Sequence, residues 1–211
     1  MSINPRNLSR PHVWQEGSGE RTLLLLHGSG ADEHDLLGLG RALDPTANLL
    51  SPRGLVRVGG VNRYFEMFSP GVYDEAAVVL NSAELADFVW AAASEYDFDA
   101  NNVYAVGFSN GANAAHSMLL LQPDSLAGVV AFGTNKVFDK TPFAKAAPSL
   151  VGKRVWVANG AADQYSPEPR VKELMNELGA LGADVKYILH SGGHHISPEH
   201  VRIIGEQLSA S

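Results

Sequence analysis

Cysteine is absent from the 211 residues. That excludes disulfides, a cysteine nucleophile and thiolate metal sites, and it fits a reducing compartment such as the cytoplasm. No apolar core of a secretory signal stands in the first stretch, MSINPRNLSRPHVW. No apolar run approaches the roughly 18 residues that a membrane span needs. The sequon Asn7-Leu8-Ser9 is therefore read as chance. Positive charge is scarce: 16 Lys and Arg face 23 Asp and Glu, a formal net charge of -7. Such a chain is poorly suited to a phosphate backbone, which argues against a nucleic-acid partner.

What is present suits a soluble globular protein. Hydrophobic residues make up 45% and charged residues 18%, enough apolar material for a core. The length suits one domain over residues 1–211. Apolar runs alternate with amphipathic stretches. Thr22–Leu26 (TLLLL) reads as a strand buried on both faces. Further strands are expected at 48–51, 103–106, 127–132, 154–158 and 185–189. Helices are expected at 36–43, 75–96, 110–121, 167–181 and 198–208. Residues 52–73, rich in Gly and Pro, read as one long irregular loop, which in a compact domain is usually functional or mobile. The alternation predicts an α/β fold, a mainly parallel sheet with helices on both faces and no large lid domain.

Gly107-Phe108-Ser109-Asn110-Gly111 is a G-x-S-x-G motif with a predicted strand before it and a predicted helix after it. A sharp strand-to-helix turn of this kind lifts a serine hydroxyl clear of the sheet, and its glycines leave room for neighbouring backbone. The alternative is a Gly-Ser-Gly turn without chemistry; the flanking elements favour the elbow. A serine hydroxyl needs a base, and the base needs an orienting acid. In this architecture they follow in the order Ser, acid, His. Asp163 comes just after a strand, where α/β sheets place ligand-facing residues. His194 or His195 follows the last strand. Rival acids have simpler roles: Asp184 precedes a strand, and Glu168 and Glu199 sit at helix starts, which favour carboxylates.

A transition-state oxyanion needs backbone N–H donors. The turn His27-Gly28-Ser29-Gly30 supplies one at Ser29, and Asn110 supplies the other. A dinucleotide fingerprint is the competing reading of this turn. Glu33 stands where its last glycine would be, and nearby acids would repel a pyrophosphate. His27 reads as a hydrogen-bonded loop anchor.

These residues resemble the phospholipase/carboxylesterase family of α/β-hydrolases, which includes bacterial carboxylesterases and acyl-protein thioesterases. The matching pieces are Leu26 to Glu33, Ser51-Pro52-Arg53-Gly54, Arg63-Tyr64-Phe65, Gly107 to Asn113, Gly160 with Asp163, and Gly192-Gly193-His194. They span roughly residues 22–205. The resemblance implies a Ser109–Asp163–His194 triad and favours His194 over His195. It also implies an acyl pocket lined by Arg63, Tyr64 and Phe65, and it makes a homodimer plausible. The first twenty residues and 132–148 depart from the family pattern.

Eight histidines raise the question of a metal enzyme. The densest group is His190, His194, His195 and His200. H-E-x-x-H is absent, and Ile196 and Pro198 break the H-x-x-E-H alternative. His116, on the helix behind the nucleophile, reads as a packed residue. In the 52–73 stretch, an arginine either binds a substrate carboxylate or pairs with Asp32, Glu33 or Glu66. The expected function is a serine hydrolase acting on small to medium carboxylic esters or thioesters through an acyl-enzyme, with no cofactor and no metal. The alternatives are a non-catalytic binding protein on the same fold, a lactonase or an amidase.

Overall fold

The computed structural model describes residues 8–69, 71–140 and 148–210. Asn7 of the sequon and 141–147 of the unmatched stretch lie outside the described residues.

In chain order the elements are β1 (His12–Gln15), β2 (Thr22–Leu26), α1 (Leu37–Leu43), β3 (Asn48–Pro52), β4 (Val56–Val58), β5 (Val61–Arg63), β6 (Met67–Ser69) and β7 (Val72–Tyr73). The long helix α2 (Glu75–Tyr96) follows, then β8 (Val103–Phe108), α3 (Asn110–Leu121), β9 (Gly128–Phe132) and β10 (Arg154–Gly160). The chain closes with α4 (Glu168–Ala180), β11 (Asp184–His190) and α5 (Pro198–Ser209). Seven strands form one sheet in the order β1-β3-β2-β8-β9-β10-β11. All neighbours are parallel except β1, which runs antiparallel to β3 along one edge.

The sheet follows from composition. Every residue of β2, β3 and β9 is buried, as strands covered on both faces must be. Each leucine of β2 contributes about 1.5–3 kcal/mol by leaving water. Alternate side chains feed two cores. Leu24 and Leu26 meet Leu85, Phe88 and Val89 of α2 and Met118 of α3 on one face. Leu23 and Leu25 meet Trp156, Ile204 and Leu208 on the other. By length and composition α2 could cross a membrane, with a mean hydropathy of 1.3. It is instead a core helix: Leu85, Phe88, Val89 and Ala92 are buried against the sheet side. Asp74 caps its N-terminus, accepting from the Ala77 N–H at 3.1 Å.

Two expectations need correction. The 52–73 stretch is not irregular throughout: it holds the small antiparallel hairpins β4–β5 and β6–β7. Strand β1 was not expected at all. It is held by Trp14, which stacks on Tyr96 at 4.7 Å and Phe98 at 5.3 Å.

Strand order reverses at β2 and β8: β3 lies to one side of β2, while β8 starts the run to the other. In open α/β sheets the crevice at the carboxyl ends of such strands is the ligand site. The loops leaving β2 and β8 carry Ser29 and Ser109.

Candidate active site

Ser109 sits at φ 55° and ψ -117°, in the turn between β8 and α3. Few non-glycine residues hold a positive φ, and such strain persists only where the surroundings impose it. Here they do. A Cβ on Gly107 would run into the Gly111 backbone, and one on Gly111 into the Leu26 and His27 carbonyls. The Ser109 N–H donates to the Phe132 carbonyl at 2.9 Å, which ties the elbow to the end of β9.

His194 and Asp163 reach the same point from two loops sewn together. The Ala161 N–H donates to the His190 carbonyl at 2.7 Å, and the Ala162 N–H to the Gly192 carbonyl at 2.9 Å. His194 Nε2 lies 2.9 Å from Ser109 Oγ, and His194 Nδ1 lies 2.7 Å from Asp163 Oδ2. A carboxylate only accepts, so Nδ1 carries the ring proton and Nε2 is left to accept from the serine hydroxyl. The Asp163 side chain is fully buried, and its Oδ1 accepts from the Tyr165 N–H at 2.9 Å. Phe108 and Tyr165 flank the imidazole, with ring centroids 4.9 and 5.0 Å away.

Among the histidines and acids left open by the sequence, the others go elsewhere. His195 is exposed and lies 4.4 Å from the His190 ring. Glu168 pairs with Lys172 and Glu199 with Arg202, each at 2.7 Å. Asp184 opens β11, at the end of the sheet opposite the site. Among the described residues no group of three or more His, Asp or Glu side chains is placed to hold a metal ion.

The β2 loop is held from beneath. His27 Nδ1 donates to the Gly28 carbonyl at 2.7 Å, while Nε2 accepts from the Gly54 N–H at 2.9 Å. Burial pushes its pKa down, so the ring stays neutral and keeps both bonds. The Gly30 N–H is spent on the Asn62 carbonyl at 2.9 Å. Among the described residues, no backbone acceptor takes the N–H of Ser29 or of Asn110, at the start of α3.

A cavity of about 50 Å³ opens beside these groups, lined by Ser29, Ser109, Asn110 and His194. Its far side is made by Arg63, Met67, Tyr73, Asn113, Asn135 and Tyr165. The expectation of a wall made by Arg63, Tyr64 and Phe65 is corrected in part. Only Arg63 lines the cavity. Tyr64 and Phe65 are fully buried in the core, and Phe65 packs edge-on against Tyr73 at 5.8 Å. They meet the site through their backbone: the Tyr64 N–H donates to Asn110 Oδ1 at 2.8 Å, and Asn110 Nδ2 donates to the Phe65 carbonyl at 3.2 Å. Phe68 is 66% exposed and does not line this cavity.

Sequence reasoning gave Asn113 no role beyond its place in the matching segment, and it did not single out Asn135 or Tyr165. Tyr73 donates to Asn135 Oδ1 and accepts from Asn113 Nδ2, both at 3.0 Å. Asn135 Nδ2 donates to the Tyr165 carbonyl at 2.6 Å. The available signals were position: Asn113 is one helical turn beyond Ser109, and the other two follow the carboxyl ends of β9 and β10.

The profile of the phospholipase/carboxylesterase family matches residues 13–211. The chain belongs to that family. It is 37% identical over 186 residues to "Putative hydrolase MhqD" of Bacillus subtilis (strain 168), covering 88% of this chain and 91% of that one. The Bacillus cereus carboxylesterase superposes with a TM-score of 0.91 at 34% identity, covering 97% of this chain and 95% of the other. The structure of YahD with malic acid gives a TM-score of 0.87 at 28% identity, covering 95% and 98%. The fold of this family member is therefore the α/β-hydrolase fold, and its family and neighbours support a hydrolase of the carboxylesterase kind.

Proposed function

We propose that this family member is a serine carboxylesterase that cleaves small carboxylic esters or thioesters through an acyl-enzyme. One observation carries the reading: the continuous chain Ser109 Oγ, His194, Asp163, with links of 2.9 and 2.7 Å, beside two N–H groups that no backbone acceptor takes among the described residues. Ser109 Oγ attacks the carbonyl carbon while His194 Nε2 takes its proton. The N–H groups of Ser29 and Asn110 receive the oxyanion, and Asp163 holds the imidazolium in place. Collapse expels the alcohol or thiol, which takes the proton from His194. Water then repeats the sequence on the acyl-enzyme, releases the acid and restores Ser109. The cavity of about 50 Å³ beside Met67 and Tyr73 fits short acyl groups.

A fluorophosphonate probe and a p-nitrophenyl ester series, applied to wild type and Ser109→Ala, test this. Wild type should be labelled and should turn over acetate and butyrate faster than long chains. The variant should lose labelling and about a millionfold in kcat. A folded wild type that neither reacts with the probe nor hydrolyses any ester would end the proposal.

A further inference from the structure

Among the described residues that line the cavity beside Ser109, the permanent cation is Arg63. The other two arginines of its segment are accounted for. Arg53 holds Glu33 with two bonds, Nη2 to Oε1 being 2.6 Å, and Arg57 reaches the Gly60 carbonyl at 3.3 Å. Among the described residues no carboxylate lies within ion-pair distance of Arg63. Its Nε is buried and has no hydrogen-bond partner among the described residues. A buried donor left unpaired is costly, and the described residues do not fully satisfy this guanidinium.

The position of Arg63 is fixed by its neighbours in sequence. Asn62 accepts from the Gly30 N–H at 2.9 Å and donates from Nδ2 to the Ala31 carbonyl at 3.0 Å. Tyr64 N–H is bound to Asn110 Oδ1 at 2.8 Å. The residue before Arg63 is thus tied to the Ser29 loop, and the residue after it to Asn110. The guanidinium is mounted on the two pieces of chain that supply the proposed oxyanion donors. The rest of the far wall sets the apolar Met67 beside polar side chains already satisfied among themselves, Tyr73, Asn113 and Asn135. Among the polar side chains named on that wall, the one left unspent is Arg63.

We propose that Arg63 is an anion-recognition residue that selects esters whose acyl part carries a carboxylate a short spacer away from the scissile carbonyl, as in half-esters of short dicarboxylic acids. The carboxylate accepts from the guanidinium edge in the planar, two-bond arrangement that arginine offers. The ester carbonyl then lies at the Ser29 and Asn110 N–H groups. This substrate class rests on the serine-esterase reading, but the anion site is testable apart from it.

The probes are methyl hydrogen succinate and its neutral, near-isosteric amide, methyl succinamate. The quantity to measure is the ratio of kcat/KM for the acid to that for the amide, in wild type and in Arg63→Gln. Wild type should favour the acid by roughly 10- to 100-fold, carried mainly by KM, as expected for a hydrogen bond between charged groups. Arg63→Gln should bring the ratio close to one. A wild type active on p-nitrophenyl acetate but indifferent between acid and amide would overturn the proposal, and so would a preference that survives in Arg63→Gln. Calorimetry on Ser109→Ala, with and without Arg63→Gln, measures binding of the same two esters without turnover. Tighter binding of the acid that needs Arg63, in a protein whose wild type has no esterase activity, would keep the anion site and end the esterase reading. Equal binding of the two esters by Ser109→Ala would overturn the anion site even if Arg63→Gln does not fold.

Discussion

Asp163 gains its place from what its two oxygens touch. One accepts from His194 Nδ1 at 2.7 Å, the other from the Tyr165 N–H at 2.9 Å. An asparagine keeps the shape but can present an N–H to the ring, which favours the wrong imidazole tautomer. Asp163→Asn is therefore expected to lower kcat about 10⁴-fold, with little change in melting temperature. A loss under tenfold, measured on p-nitrophenyl acetate, would mean that Asp163 does not orient the base. At this scale the sequence was legible wherever a residue type met a required place. The motif singled out Ser109, and position after β10 set Asp163 apart from Asp184, Glu168 and Glu199. Tyr64 and Phe65 were misplaced because family position says that a segment borders a site, not which way its side chains point. Their rings turn inward, and the site receives only their backbone groups.

The elbow is a property of the element junction more than of the serine. Gly111 opens α3 directly against the end of β2, where a methyl group would meet the Leu26 carbonyl oxygen. Gly111→Ala must push α3 away from β2 or shift the elbow. Overpacking of this kind costs typically 1–3 kcal/mol or more. The expected result is a lower urea midpoint together with slower fluorophosphonate labelling, since the Ser29 loop and Asn110 would separate. Wild-type stability and labelling in Gly111→Ala would show that the junction is looser than its contacts imply. Long elements were readable for a physical reason. TLLLL is a five-residue apolar run, a length that favours a strand buried on both faces, and α2 sets Leu85, Phe88, Val89 and Ala92 at helical spacing. Strands β4 to β7 have two or three residues each, too few to establish a period. Strand β1 is half-buried along its length, so it shows no alternation, and its partner β3 lies far along the chain.

At the scale of the molecule, the sheet, its helices and the loops at its carboxyl ends are held by polar groups that cannot accept protons without loss. His116 of α3 is fully buried behind the elbow. Its Nδ1 lies 3.2 Å from the Ala112 carbonyl and 3.1 Å from Thr134 Oγ1, while Nε2 has no partner among the described residues. Burial pushes its pKa down to about 3, from an ordinary 6.5. Burial also lowers His27, and the bond from Arg53 lowers Glu33. In each case the unfolded chain takes up protons at a higher pH than the folded one, so stability falls as pH falls. For His116 that window runs from about 6.5 down to about 3. The Glu33 contribution is lost at lower pH, below the ordinary carboxylate value of 4.5. Asparagine at 116 can keep the Nδ1-like donor and has nothing to titrate. His116→Asn is therefore expected to be less stable than wild type at pH 7 but to lose stability more slowly on acidification. Between pH 6 and 4 its slope should be shallower by about 1.4 kcal/mol per pH unit, the value of one proton. Urea unfolding at half-unit steps of pH measures both slopes. Parallel curves would mean that His116 does not contribute to the acid sensitivity of this fold.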